Sequence, residues 1–118
     1  MLLKILRAKI HRAVVTEACV DYVGSITIDK NLLDASGILP GECVLVADMS
    51  DGQRFETYVF EGTPGSGTIC INGAAARLVD VGDEVIIMAF GYVEEPQARK
   101  YKPNVVLIGE NNTVSEVH

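Results

Sequence analysis

The chain has 118 residues, a length that suits one domain. Hydrophobic residues make up 48%, which excludes a disordered chain, and with aromatics at 6% and no Trp the core must be built from Val, Ile, Leu and Ala. A net charge of −6 argues against a general binder of nucleic acid or anionic membrane, because phosphate needs a basic face, but it leaves room for a local basic pocket.

The first stretch, "LLKILRAKIHRAVVTEA", alternates enough for a strand, with a helix as the competing reading. In a strand, Arg7, Lys9 and His11 share one face, and Ala8 and Ile10 take the other. "CVDYVGSITID" is the next strand candidate. A glycine stands inside it, directly before a serine, and glycine weakens a strand unless the backbone must do something unusual there. "DKNLLDASGI" reads as a short helix, with Asp29 as N-cap and Gly37 as the stop. "LPGECVLVADM" is a turn and then a strand, "SDGQ" a hairpin turn, and "RFETYVFEG" a strand. "TPGSG" is another turn and "TICIN" another strand.

"GAAARLVDVGD" reads as a loop with one helical turn, closing at Gly82-Asp83. "EVIIMAFGYV" is a long apolar strand, expected to be buried on both faces. "EEPQARKY" is short and helical or irregular, and "NVVLIGENN" ends the regular structure, leaving "TVSEVH" as a loose polar tail. Many short strands with Gly, Asp and Pro turns predict a mainly β fold, a small closed barrel or a sandwich, in a single domain over residues 1–118.

Cys19, Cys43 and Cys70 are scattered, no C-x-x-C is present, and only His11 and His118 could supply imidazole. No metal site is expected, and the thiols read as reduced, small hydrophobes. Lys4, Arg7 and Lys9 interrupt the apolar N-terminus, so it does not read as a signal peptide, and the cytoplasm is the expected compartment.

The common hydrolase, nucleotide-binding and zinc-protease motifs are absent. The remaining polar residues sit in strands: Lys9 with His11, Arg54 with Tyr58, Asn72, and the Gly24-Ser25 pair. A serine hydroxyl can attack the carbonyl carbon of its preceding peptide bond, giving an ester, and glycine on the carbonyl side removes the Cβ that would hinder it. Elimination to dehydroalanine and hydrolysis then give a pyruvoyl group, a ketone that forms a Schiff base with an amino acid and accepts electrons. The dipeptide by itself is equally compatible with a β-bulge or a close backbone approach.

The segments "AKIHRAVVTEA", "DYVGSITID", "LLDASGILPGE", "GQRFETYV", "NGAAARLVDVGD" and "KPNVV" occur in this order and together resemble the pyruvoyl-dependent aspartate 1-decarboxylases. The resemblance runs over nearly all of residues 2–108. It implies a double-psi β-barrel, a homotetramer with active sites shared between subunits, and L-aspartate as substrate, giving β-alanine for pantothenate synthesis. It also implies self-cleavage into 1–24 and 25–118, with the pyruvoyl group made from Ser25 at the start of the longer chain.

The roles it implies are Lys9 and Arg54 on the substrate carboxylates, Tyr58 as proton donor, and Thr57 polarising the Gly24 carbonyl during cleavage. Asn72 orients the pyruvoyl carbonyl, Gly73, Ala74 and Ala75 line the pocket, and Tyr22 and His11 support it. Some relatives carry Glu where this chain has Val23, or His where it has Arg77, and some require a maturation factor. On an ideal strand Thr57 and Tyr58 point to opposite faces. Both then serve one site only if the strand twists or ends there, or if they serve sites in different subunits. Two other readings are a pyruvoyl enzyme for a different amino acid, and a non-catalytic barrel that binds a partner and stays in one piece.

Overall fold

The computed structural model describes residues 1–118. Its strands are β1 (Leu2–Val14), β2 (Glu17–Cys19), β3 (Ser25–Asp29), β4 (Cys43–Asp48), β5 (Arg54–Gly62), β6 (Ile69–Asn72), β7 (Glu84–Glu94), β8 (Asn104–Ile108) and β9 (Val114–Val117). Two short helices, α1 (Lys30–Ser36) and α2 (Glu95–Ala98), and two 3-10 turns complete it. No helix is long and apolar enough to cross a membrane.

The strands lie in the order β2-β6-β3-β5-β4-β7-β1-β8-β9. Beyond β1 the chain runs straight on to the other end of this row. Val15 N–H donates to Asp83 O, Thr16 N–H donates to Ile69 O, and β2 pairs parallel with β6. Residues 2–19 therefore touch β7 on one side and β6 on the other, closing the sheet into the expected barrel. Its interior is aliphatic: Ile10, Ile26, Ile28, Val46, Val59, Ile69, Ile71 and Ile87 are all fully buried. Each such side chain contributes about 1.5–3 kcal/mol on leaving water, so the shortage of aromatics does not leave the barrel without a core.

The first segment is a strand and not a helix, but its alternation is broken twice, between Leu6 and Ala8 and between His11 and Ala13. Strict period two would aim Arg12 inward beside Ala8 and Ile10. Instead Arg12 takes φ +71°, a left-handed bulge that turns it out to Glu84 (Nε–Oε2 2.7 Å) and lets Ala13 fill the core. Arg7 stands at the other break, where it binds Glu42 and donates to the Gly37 carbonyl (2.9 Å).

Asp29 caps α1 as expected, its Oδ1 accepting from Asn31 N–H at 2.8 Å, and Gly37 ends the helix at φ +80°. Its carboxylate also accepts from Gly65 N–H (3.0 Å) and Gly67 N–H (2.8 Å), pinning the "TPGSG" turn to the helix.

Three expectations are corrected. Residues 19–29 are not one strand: β2 stops at Cys19, an exposed turn follows, and β3 starts at Ser25, so the Gly-Ser pair sits at a strand start. In β7, Val85, Ile87 and Ala89 are buried, but Ile86, Met88 and Phe90 are only half-buried, because the outer side of the barrel has no second layer in one chain. The C-terminal tail is strand β9, antiparallel to β8. Asn112 anchors it: its side chain accepts from Val14 N–H and donates to Val14 O and Gly67 O, all at 2.8 Å.

Candidate active site

The first residue of β3, Ser25, is fully buried and stands opposite Asn72 of β6. Period-two alternation sorts this strand pair cleanly. Ile26, Ile28, Ile69 and Ile71 enter the core, so Ser25, Thr27, Cys70 and Asn72 gather on the other face. There Asn72 Nδ2 donates to Ser25 Oγ (3.1 Å) and to Thr27 Oγ1 (3.4 Å), and the Cys70 thiol donates to Asn72 Oδ1 (3.3 Å). Burial, with the neighbouring Glu17 carboxylate as the second cause, pushes the Cys70 thiol up to about 11, so it stays an S–H donor at neutral pH.

Two glycines meet beside this group. Gly73 has φ +78°, and a Cβ on it would stand 2.6 Å from Gly24 Cα and 2.8 Å from Gly24 N. Glycine is required at 73 by backbone angle and by space together. Gly24 is different. A Cβ there would meet only the Asn72 carbonyl oxygen at an ordinary 3.9 Å, and its φ is not positive. Neither packing nor conformation demands glycine at the residue before Ser25.

On β5, Arg54 and Tyr58 are exposed on the outer face, and Tyr58 packs edge-on to Phe60 with ring centres 5.5 Å apart. Thr57 is half-buried on the inner face, paired with Val44. The strand runs regularly through this point, so Thr57 and Tyr58 do face opposite ways. The parallel pairing of Ile26 with Val59, continued backward, sets Ser25 level with Tyr58 and Gly24 level with Thr57.

Lys9 and His11 are half-buried on the outer face of β1. Cross-strand pairing runs His11–Ile86–Ala47–Arg54 in one row and Lys9–Met88–Leu45–Glu56 in the next. The cations of β1 and β5 thus share a face but stand three strand spacings apart, roughly 14 Å. Burial lowers the His11 pKa, the charges of Lys9 and Arg12 lower it further, and its Nδ1 is buried without a partner. The neutral imidazole is therefore favoured at pH 7.

Ala74 is exposed and Ala75 half-buried in the 3-10 turn after Asn72, and Tyr22 is exposed in the turn before Gly24, its carbonyl facing Gly73. The structure so brings together Gly24, Ser25, Asn72 and Gly73, sets Thr57 and Tyr58 alongside them on β5, and leaves Lys9, His11 and Arg54 apart. The largest cavity, about 330 Å³ near Val14, Thr16, Gly67 and Asn112, does not include Ser25. No three His, Cys, Asp or Glu side chains are grouped to hold a metal ion. Sequence reasoning took Cys70 for core filler and passed over Thr27. The i, i+2 spacing of Cys70 with Asn72 and of Ser25 with Thr27 was the available signal.

The sequence profile of the aspartate decarboxylase family matches residues 1–115. The aspartate 1-decarboxylase of Clostridium beijerinckii is 56% identical over 117 residues, covering 99% of this chain and 94% of that protein. The enzyme of the same name from Caldicellulosiruptor saccharolyticus is 54% identical over 114 residues (97% and 89%), and that from Neisseria meningitidis 53% over 112 residues (95% and 88%). With a buried serine behind an unconstrained glycine, and with similarity along nearly its whole length, the chain belongs to the aspartate decarboxylase family of enzymes.

Proposed function

We propose that this chain cuts itself between Gly24 and Ser25 and then converts L-aspartate to β-alanine and carbon dioxide, supplying pantothenate synthesis. The observation that carries this reading is Gly24. A side chain would fit there, so the glycine is explained by the chemistry of its carbonyl, which the adjacent Ser25 Oγ must reach unhindered. Residues 1–24 and 25–118 are then separate chains of one domain.

The surroundings of Ser25 fit a pyruvoyl group made from it. Asn72 Nδ2, which now donates to Ser25 Oγ, can donate to the carbonyl oxygen that replaces it. The close contact of Gly73 with Gly24 holds the cut end in place. The pyruvoyl group supplies an electrophilic carbonyl that captures the substrate amine and draws electrons from the breaking carbon–carboxylate bond. Thr57 is level with Gly24 and polarises its carbonyl for cleavage, while Tyr58, on the opposite face of β5 and partly exposed, delivers the proton that replaces carbon dioxide in a site shared with a neighbouring copy. Gly73, Ala74 and Ala75 line the pocket, and Tyr22 closes it from the preceding turn.

Aspartate carries two carboxylates, and Arg54 and Lys9 hold one each, Arg54 by a bidentate contact and Lys9 as a point charge. The backbones of Lys9 and Arg54 stand roughly 14 Å apart within one chain, a spacing that favours a site whose two cations come from different copies. The half-buried outer face, with Leu45, Ile86, Met88 and Phe90, supports that assembly, a homotetramer, since a second copy would complete the burial of β7. His11, neutral beside Lys9, braces this pocket. Three free thiols support a cytoplasmic setting.

A denaturing mass measurement tests the reading. Two fragments ending at Gly24 and starting at a blocked residue 25 are expected, and Ser25→Ala should stay whole. A wild-type chain that stays intact both when purified and when taken directly from its native cells would overturn the self-cleavage reading. Cleavage with full activity on aspartate in Lys9→Ala would show that Lys9 does not hold a substrate carboxylate, and a wild-type preference for another amino acid over aspartate would point to a pocket built for that one.

A further inference from the structure

Asn72 can sit in two orientations, and the hydroxyls beside it do not choose between them. With Nδ2 toward Ser25 Oγ and Thr27 Oγ1, the amide donates to both oxygens. Turned over, Oδ1 would accept from the same two hydroxyls just as well. The chemistry of self-cleavage distinguishes them. When the amide donates, the Ser25 hydroxyl proton remains free to leave as Oγ bonds to the Gly24 carbonyl carbon. When the amide accepts, that proton is tied to an amide oxygen, a poor base.

The fourth member of the group breaks the tie. Cys70, two residues before Asn72 on β6 and 6% exposed, places its thiol 3.3 Å from Asn72 Oδ1. A thiol is a weak donor and a weak acceptor, and the Cys70 S–H, with the Glu17 carboxylate as its other neighbour, lies within hydrogen-bond distance of the Asn72 oxygen. The turned-over amide would point N–H groups at sulfur and lose the S–H bond, so the cysteine favours the orientation with Nδ2 on Ser25.

We infer that Cys70 is a positioning residue for self-cleavage, its thiol holding the Asn72 side-chain amide so that Nδ2 is aimed at Ser25 Oγ. The step it serves is an acyl shift. The Ser25 Oγ–C bond to the Gly24 carbonyl forms, the Gly24–Ser25 C–N bond breaks, and the hydroxyl proton ends on the freed amine, with no further reactant. This inference rests on the self-cleavage reading above.

Purified precursor followed by denaturing mass over time tests it, with urea unfolding as a check on folding. Cys70→Ala and Cys70→Val remove the donor with less and more side-chain volume, and both should slow cleavage about tenfold, the worth of one modest hydrogen bond. Cys70→Ser restores a donor and should cleave within about threefold of wild type. In an Asn72→Ala background, Cys70→Ala should bring no further slowing, because the amide it positions is gone. Wild-type rates in the alanine and valine variants, failure of serine to rescue, or additive slowing in the double variant would each overturn the role of Cys70 while leaving self-cleavage standing. A wild-type chain that never cleaves would overturn both.

Discussion

The backbone of Gly24 occupies the space where residue 73 would carry a side chain: a Cβ on Gly73 would stand 2.6 Å from Gly24 Cα. The segment bearing the Gly24-Ser25 bond and the turn after β6 are in direct backbone contact, and that contact exists only because residue 73 is glycine at φ +78°. Gly73→Ala should therefore destabilise the fold by about 1–3 kcal/mol from backbone strain alone, and push residue 24 away from its site. Urea unfolding together with the extent of cleavage checks this. A variant as stable and as fully cut as wild type would contradict the contact. Gly24→Ala is the contrasting case. It should fold normally, since its Cβ meets only ordinary contact, and lose cleavage by hindering the carbonyl.

Combining two inactive variants checks the shared site. Lys9→Ala and Arg54→Ala should each lower kcat/KM on aspartate roughly 100-fold, the loss of one charged contact to a carboxylate. If the two cations of each site come from different copies, co-expressing the variants, so that whole chains assemble before they are cut, should return activity in up to about a quarter of the sites. No recovery would mean that both cations of a site come from one chain.

The Arg7–Glu42 pair ties β1 to the loop after α1 through Arg7 Nε to Glu42 Oε2 (2.8 Å), while Glu42 Oε1 also accepts from Leu39 N–H (3.0 Å). Burial by itself would raise the Glu42 pKa, but the bonds from Arg7 and Leu39 outweigh it and hold the carboxyl below its usual value. A lowered folded value means that the contribution is present above the ordinary carboxylate range and is lost as pH falls through the folded value. Arg7→Ala should cost about 1–2 kcal/mol near neutrality and flatten the acid side of the urea-midpoint profile.

Asp48 behaves in the opposite sense to Glu42, while its neighbour Asp83 is held low by its contact with Asp48. Burial raises Asp48, the neighbouring Asp83 carboxylate raises it further, and Asp48 Oδ2 is buried without a hydrogen-bond partner. A raised folded value gives stability that is lost as pH rises through it. Asp48→Asn keeps an acceptor for Ser50, whose N–H and hydroxyl lie 2.8 and 2.7 Å from Oδ1. It also offers Asp83 a permanent donor. It should gain about 0.5–1.5 kcal/mol at pH 7 and nothing at low pH. A loss at pH 7 that disappears at low pH would show that the ionised carboxylate is the stabilising form.

Much of the chain was legible in its sequence because local rules govern it. The cap at Asp29, the stop at Gly37, the Asp-Gly hairpin and the strand periodicity each depend on residues within a few positions of one another. Gly24, Ser25, Tyr58 and Asn72 stood out as polar or misplaced residues in strands, and their roles, with that of Thr57, came from the resemblance to the aspartate decarboxylases. What misled was also local. Arg12 breaks the period of β1 through a left-handed bulge that no pattern announced. The tail became β9 because Asn112 finds partners at Val14 and Gly67, far away in sequence.

The sequence by itself determined a mainly β fold with an aliphatic core, since composition, alternation and turn residues act at short range, while the choice of a barrel and a cut at Ser25 were implied only by its resemblance to the aspartate decarboxylases. Only the tertiary structure decided that residue 73 must be glycine while residue 24 need not be, because that depends on which backbone comes within 3 Å of which. It alone distinguished Cys70 from the other two cysteines, by setting its thiol against the amide that faces Ser25. It alone separated Lys9 from Arg54 by three strands, because strand order follows from long-range pairing and not from spacing along the chain.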